Sequence, residues 1–274
     1  MTPLSRPPSQ SALLPWVHCL WLHAASVGPG RAREWCLPSA ATRLVLRLQG
    51  PAMRSFRGLD DRRGVQHARL QYCGLRHRSL LRSAADSGVS LGVELKSGAS
   101  LALFGQPADR LAGRYLDLGE LLPAGLRREF AALQRAPVDL ALLDRVEDLL
   151  LACLHWRDGA VSTPEYWHGT LAALIEGRSV LALAADSGLS HRAWLQRFRA
   201  AVGCTPRAWR ELDRFSRALL YLRARPHLPL SALALDLGFH DQAHLSRQFA
   251  AHAGMGPARY RDWGGAWAQH LPLD

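Results

Sequence analysis

Hydrophobic positions change their period along this chain. Between residues 11 and 118 they come in short runs or alternate with polar ones, and Gly or Pro closes each run. Leu44-Val45-Leu46-Arg47-Leu48 ends at Gly50-Pro51, and Arg69-Leu70-Gln71-Tyr72-Cys73 ends at Gly74. Ser90-Leu91-Gly92-Val93-Glu94-Leu95 runs into the turn Ser97-Gly98, and Trp16-Val17-His18-Cys19-Leu20-Trp21 reads as a buried first strand. Alternation with turn punctuation predicts a small β-rich domain, barrel- or sandwich-like, with helices.

From about 119 the period becomes helical. Leu140, Leu143, Val146, Leu150, Cys153 and Leu154 fall on one stripe at i, i+3, i+4 spacing. Such a stripe serves a homodimer seam or, more commonly, the domain's own core. Asp158-Gly159 marks a break.

Beyond 160 every signal is helical. Thr163-Pro164-Glu165 supplies a cap with Pro at the first helical position, and Gly177 closes that helix. Ser179 caps the next, which ends at Ser187-Gly188, and Ser190 caps a third that ends at Gly203. Thr205-Pro206 opens a longer helix that stops before Pro226. A short helix then ends at Gly238, another runs from Asp241 to about Ala253, and Pro257 opens the last. The expected fold is α+β: a β-rich domain over 1–118, a helical linker over 119–160, an all-α domain over 161–266 and a tail over 267–274.

The helical part repeats itself. Phe198-Arg199-Ala200-Ala201-Val202-Gly203-Cys204-Thr205-Pro206-Arg207-Ala208-Trp209-Arg210 matches Phe249-Ala250-Ala251-His252-Ala253-Gly254-Met255-Gly256-Pro257-Ala258-Arg259-Tyr260-Arg261 at an offset of 51 residues. Upstream, Ala184 matches Ala234 after a slip of one residue in the turn. Each unit is a short helix with a small Ala facing its partner, a Gly-containing turn and a second helix. That is the helix-turn-helix plan, whose second helix enters the major groove of DNA. The helix from Pro206 to Arg225 spans about 30 Å at about 1.5 Å per residue. One turn of duplex advances roughly 34–36 Å, so a rigid connection of this length suits two successive major grooves.

Residues 165–263 resemble the DNA-binding domain of the AraC/XylS family of bacterial transcription regulators. Leu233-Ala234-Leu235-Asp236-Leu237-Gly238-Phe239, Asp241-Gln242-Ala243-His244-Leu245-Ser246-Arg247-Gln248-Phe249, Gly254-Met255-Gly256-Pro257 and Tyr260-Arg261 carry the resemblance. In the first unit Ala184, Ser190, Phe198, Gly203, Pro206, Arg214 and Ala218 match. Leu37-Pro38, Gly92-Val93-Glu94-Leu95-Lys96-Ser97-Gly98-Ala99, Phe104-Gly105-Gln106-Pro107 and Leu111 are similar to the sensory-side domain of one subgroup. Two departures stand out: Trp194 replaces the usual Leu, and Leu195-Gln196-Arg197 replaces a polar residue followed by Arg.

The resemblance implies a cytoplasmic transcriptional regulator that binds double-stranded DNA sequence-specifically. It implies RNA polymerase, a small-molecule effector and a homodimer as further partners, and no cofactor. The residues it places at the DNA are Arg192, Leu195, Gln196 and Arg199 in the first recognition helix, and Gln242, Ala243, His244 and Arg247 in the second. Arg247 suits a bidentate contact to guanine, and Gln242 suits adenine or a phosphate. Arg199, Arg210 and Arg261 suit phosphates, which position without specifying.

Composition bounds this picture without adding to it. Of 274 residues, 34 are Lys or Arg and 23 Asp or Glu, a net charge of +11, and 33 of the bases are Arg. Hydrophobic content of 48% excludes a disordered chain. The densest basic stretch, ten Arg between Arg43 and Arg82, lies outside the repeat. Five scattered cysteines without C-x-x-C argue against a disulfide framework or a structural zinc site. Residues 7–30 carry no charged side chain, but Pro7, Pro8, Pro15 and Pro29 interrupt them. They fall short of the roughly 20 apolar residues of a spanning helix. With Arg6 ahead and Ala24-Ala25-Ser26 behind, they match a secretory leader weakly, so the strand is the expectation.

Other chemistries fit less well. Gly88-Val89-Ser90-Leu91-Gly92 satisfies the nucleophile-elbow pattern, but a strand and a turn follow where a helix is required. His240 and His244 stand four apart with no third metal ligand near in sequence. A DNA-associated enzyme would need a reactive thiol, and Cys36 and Cys73 lack the flanking Pro and His of an alkyl-accepting nucleophile. The third alternative is a protein-interaction module that keeps the fold without reading DNA.

Overall fold

The computed structural model describes residues 4–26, 33–84, 87–156, 164–262 and 269–273. Its first half holds β1 (Leu4–Arg6), β2 (Val17–Ser26), β3 (Arg33–Cys36), β4 (Thr42–Arg47), β5 (Arg54–Phe56), β6 (Val65–Gln66), β7 (Leu70–Cys73), β8 (Leu80–Ser83) and β9 (Ser87–Leu95). Two short helices follow, α1 (Ala99–Phe104) and α2 (Ala108–Leu111), then β10 (Tyr115–Asp117), α3 (Ala124–Ala132) and α4 (Ala141–Trp156). The second half is helical: α5 (Pro164–Ile175), α6 (Val180–Asp186), α7 (His191–Val202), α8 (Pro206–Ala224), α9 (Leu230–Asp236), α10 (Gln242–Ala253) and α11 (Pro257–Asp262). A last strand, β11, covers His270–Pro272.

The alternating runs become the strands of a six-stranded antiparallel sheet in the order β1-β2-β9-β4-β7-β10. One face of it is apolar. Leu20, Leu44, Leu46, Tyr72, Leu91 and Val93 are buried there against Phe104, Phe130 and the inner face of α4. The α4 stripe thus belongs to its own domain's core: Leu143, Val146, Leu150 and Cys153 are buried, while Leu140 is 64% exposed. Residues expected as a linker therefore share a core with the sheet. Next to Val146 in that stripe lies Glu147, a carboxylate with no exposed surface. Arg6, the Ser9 and Gln10 backbone N–H groups and the Ser9 hydroxyl donate to it, which ties the first strand to α4.

The elbow-like glycines have a steric role. Gly92 pairs across the sheet with Trp21, and a Cβ at Gly92 would stand 2.0 Å from the Trp21 ring. Gly88 has φ 139°, and a Cβ there would meet the Gln49 carbonyl at 2.3 Å. Ser90 sits in mid-strand, where its hydroxyl accepts from Arg47 at 3.0 Å.

A second, five-stranded sheet has the order β11-β3-β8-β5-β6. The segment expected as a tail supplies its edge, with His270 opposite Cys36 and Pro272 opposite Glu34. The dense Arg stretch is largely consumed inside the domain. Arg69 donates to the Gly50 and Leu48 carbonyls, Arg47 to Pro51, Arg54 to Arg63, and Arg43 and Arg82 form ion pairs with Glu94 and Glu34. Burial pushes the Cys73 thiol up to about 12, whereas at Cys36 the Arg76 and Arg82 charges outweigh burial and hold the thiol well below its usual range. No helix among the described residues is long and apolar enough to cross a membrane.

Candidate nucleic-acid interface

Local sequence builds each recognition helix. Ser190 caps α7 by accepting from the Ala193 N–H at 3.3 Å, and Asp241 caps α10 by accepting from the His244 N–H at 2.6 Å. Gly203 and Gly254, at φ 97° and 72°, end them in the left-handed conformation that an L side chain resists. Thr205 then caps α8 at the Ala208 N–H, with Pro206 at the first position. Thr163, the expected cap of α5, lies outside the described residues.

The buried faces obey the 51-residue offset. Trp194, Phe198 and Val202 pack in the first unit where Leu245, Phe249 and Ala253 pack in the second. Ala184 and Ala234, both buried, let α6 and α9 approach their partners closely. The departure at Trp194 is accommodated: its ring stacks on Phe198 at 5.3 Å, and its Nε1–H donates to the Tyr166 hydroxyl at 2.7 Å.

The outer faces hold most of the expected contact residues. Arg192, Gln196 and Arg199 are exposed along α7, as are Gln242, Ala243 and Arg247 along α10. Leu195 is half-buried against the first core. His244 is half-buried too, because its ring turns back over the helix start. It stands edge-on to Phe239 at 5.4 Å, and its Nδ1 accepts from the His240 N–H at 3.4 Å. Buried Phe239, in the turn ahead of α10, gives the imidazole a surface to pack on. Among the described residues no three His, Cys, Asp or Glu side chains are placed to hold a metal ion.

Two of the three expected phosphate partners are engaged elsewhere. Arg210 donates from Nε to the Leu174 carbonyl at 3.1 Å and from its terminal nitrogen to the Arg178 carbonyl at 2.5 Å. Arg261 donates to the Leu228 carbonyl at 2.8 Å. Arg199 alone of the three stands out from the surface. The sequence pattern missed one exposed base on α7, Arg197, which follows Gln196 in the chain.

Between the units, the 19 residues of α8 span about 28 Å at about 1.5 Å per residue. Trp209 and Leu212 of α8 enter the first core, and Phe215, Ala218, Leu219 and Leu222 enter the second. The arrangement presents two outward, partly basic helix faces on one connecting rod.

The chain is similar in sequence to known proteins. Residues 183–262 match the model of a family described as a helix-turn-helix domain. The chain is 29% identical over 202 residues to the HTH-type transcriptional regulator VirS of Mycobacterium tuberculosis, covering 74% of this chain and 53% of that protein. It is 30% identical over 166 residues to the arabinose operon regulatory protein of Salmonella typhimurium, covering 58% of this chain and 52% of that one. The match spans about half the length of these curated relatives. Among solved structures, the DNA-binding domain of AdpA in complex with a target DNA aligns with 36% of this chain and 87% of its own, at 30% identity and a TM-score of 0.32.

Proposed function

Starting from an AraC-type helix-turn-helix domain in the C-terminal region, we propose that this protein is a transcriptional regulator that binds double-stranded DNA in a sequence-specific manner. In this reading α7 and α10 enter successive major grooves. One observation carries it: two helices at a 51-residue offset bury the same positions and expose Arg192, Gln196 and Arg199 on one and Gln242, Ala243 and Arg247 on the other. Arg192, Gln242 and Arg247 read base edges, Arg199 holds a phosphate, and Leu195 and Ala243 offer apolar contact to thymine methyl groups. His244 acts through the helix start that it packs against.

Selection of bound duplexes from a random pool at physiological salt tests the proposal. Two enriched blocks about one helical turn apart are expected. Binding without enrichment that disappears as salt rises would be charge attraction alone and would overturn it.

The proposal extends to regulation. The β-rich domain touches the ends of both recognition helices, which supports a small-molecule effector acting through that domain. RNA polymerase is the partner that a promoter-bound regulator addresses, and a homodimer would double the site. Sedimentation with and without the enriched duplex checks the last point.

A further inference from the structure

The cores of the two helix-turn-helix units have no residue in common, and among the described residues of the C-terminal domain only α8 contributes to both. A single helix is an incomplete constraint. Helices of this length bend, and each unit is joined to α8 through a turn. Shifting a half-site by one base pair moves it about 3.4 Å and rotates it about 35° around the duplex. A unit free to swing about one end of α8 would follow such a shift.

The N-terminal domain supplies a second constraint. Leu37 lies in the second unit's core, and Ala40 packs against the first. Leu75 lies in the first unit's core, while the Ser79 hydroxyl donates to the His252 carbonyl at 2.7 Å. The segments 37–40 and 75–79 thus each reach from one unit to the other, in opposite directions. They are tied together in the middle. Ser39 and Arg76 exchange both backbone hydrogen bonds at 3.1 Å. The buried Arg76 guanidinium donates to the Cys36 carbonyl at 3.3 Å, the Leu37 carbonyl at 3.2 Å and the Cys36 Sγ at 3.0 Å.

The same domain also grips both recognition helices at equivalent atoms. The Gly98 N–H donates to the Ala201 carbonyl at 2.9 Å in the last turn of α7. In the last turn of α10 the acceptor is His252, 51 residues on from Ala201. Both grips hold the C-terminal ends of the helices, while Arg192, Gln196, Gln242 and Arg247 remain exposed nearer their N-terminal ends.

We propose that these two segments form a saddle that fixes the relative placement of α7 and α10, with Arg76 as its tie, so that the N-terminal domain determines which spacing of two half-sites the protein accepts. The spacing claim rests on the DNA reading proposed above. Arg76, Ser79 and Gly98 are positioning residues in it. None needs to touch DNA.

The test uses the full chain as wild type, Ser79→Ala, Ser79→Thr and Arg76→Gln, with Arg57→Gln on a distant loop as the control. Spin labels carried by unnatural amino acids at positions 196 and 247 report the distance between the recognition helices without DNA. A narrow distribution is expected in wild type, Ser79→Thr and the control, and a broadened one in Ser79→Ala and Arg76→Gln. Relative affinity for the selected site and for sites one base pair longer or shorter is then measured. Discrimination is expected to fall about fivefold in Ser79→Ala, the factor that one net hydrogen bond corresponds to, and to return in Ser79→Thr. Unchanged widths in both broadening candidates overturn the saddle, whatever the DNA result. A wild-type chain that enriches no site overturns the DNA reading, and the distance measurement still judges the saddle. If Arg76→Gln fails to fold, the Ser79 pair decides alone.

Discussion

Arg210 and Arg261 stand 51 residues apart and make the same bond: each guanidinium donates to a carbonyl just ahead of its own unit's first helix, Arg178 in one case and Leu228 in the other. Those two acceptors lie 50 residues apart, as do the starts of α6 and α9. Each arginine therefore closes its unit by fastening the helix that follows the recognition helix to the entry of the unit's first helix. Hydrogen bonds from a charged donor contribute about 1.5–3 kcal/mol. Arg261→Ala is expected to lower unfolding stability by about that much in urea titrations. The salt slope of DNA binding should stay unchanged, and a fall of about one in it would return Arg261 to the phosphate contacts.

Arg247→Ala and Arg192→Ala are expected to leave the unfolding midpoint where it is. Each should weaken specific DNA binding by about 1–3 kcal/mol and relax preference at one base position. Arg199→Ala should instead weaken binding to all sequences alike. Repeating the random-pool selection with each variant separates the two patterns. Wild-type motifs from both Arg192→Ala and Arg247→Ala would remove these residues from base reading.

Trp194 is fully buried and stacked on Phe198, with its indole N–H bonded to Tyr166. Trp194→Ala opens a cavity in the first unit only and is expected to cost about 3–5 kcal/mol. Native-state hydrogen exchange should show α6 and α7 losing protection while α10 keeps it. Uniform loss over both units would mean that they unfold as one body.

The junction of β11 with the second sheet is expected to depend on pH from both sides. Burial opposes the Glu34 charge, but His270 at 3.1 Å and Arg82 at 2.7 Å outweigh it and bring the carboxyl down from 4.5 to about 2. A depressed pKa gives stability that is complete above pH 4.5 and is lost as pH falls toward 2, on the order of 3 kcal/mol. Burial and the Arg82 charge oppose the His270 charge, but its bonds to Cys36 and Glu34 raise its pKa above 6.5. Its share is complete below pH 6.5 and is lost as pH rises through the raised value. The wild-type advantage over Glu34→Gln and His270→Asn in urea midpoints should therefore peak between about pH 4.5 and 6.5. A difference that stays flat with pH would show that neither charge holds the strand.

The helices from α6 to α11 were legible almost to the residue, since caps such as Ser179, Ser190 and Asp241 and stops such as Gly203 and Gly254 act within one turn of chain. The strands at 44–48, 69–73 and 90–95 were legible because each is long enough to alternate. The two- and three-residue strands β5 and β6 carry no period at all, and β8 carries hardly more. Of the expected contact residues, the outward placement of Arg192 and Arg247 follows from helical period. The inward turn of His244 does not, because it depends on Phe239 lying under the ring.

Spacing along one dimension is enough to specify the repeated unit, its connecting helix and the outward faces of α7 and α10. Tertiary structure alone decided which arginines remain available. Arg199 and Arg210 look alike in the chain, and they differ because the Leu174 and Arg178 carbonyls stand within reach of only one. It also decided that Glu147 could be buried in an apolar stripe, that β11 closes a sheet begun by β3, and that residues 37–40 and 75–79 bridge the two units. Each of these rests on contacts between groups far apart in the chain, and local pattern carries no record of what folding will bring beside a residue.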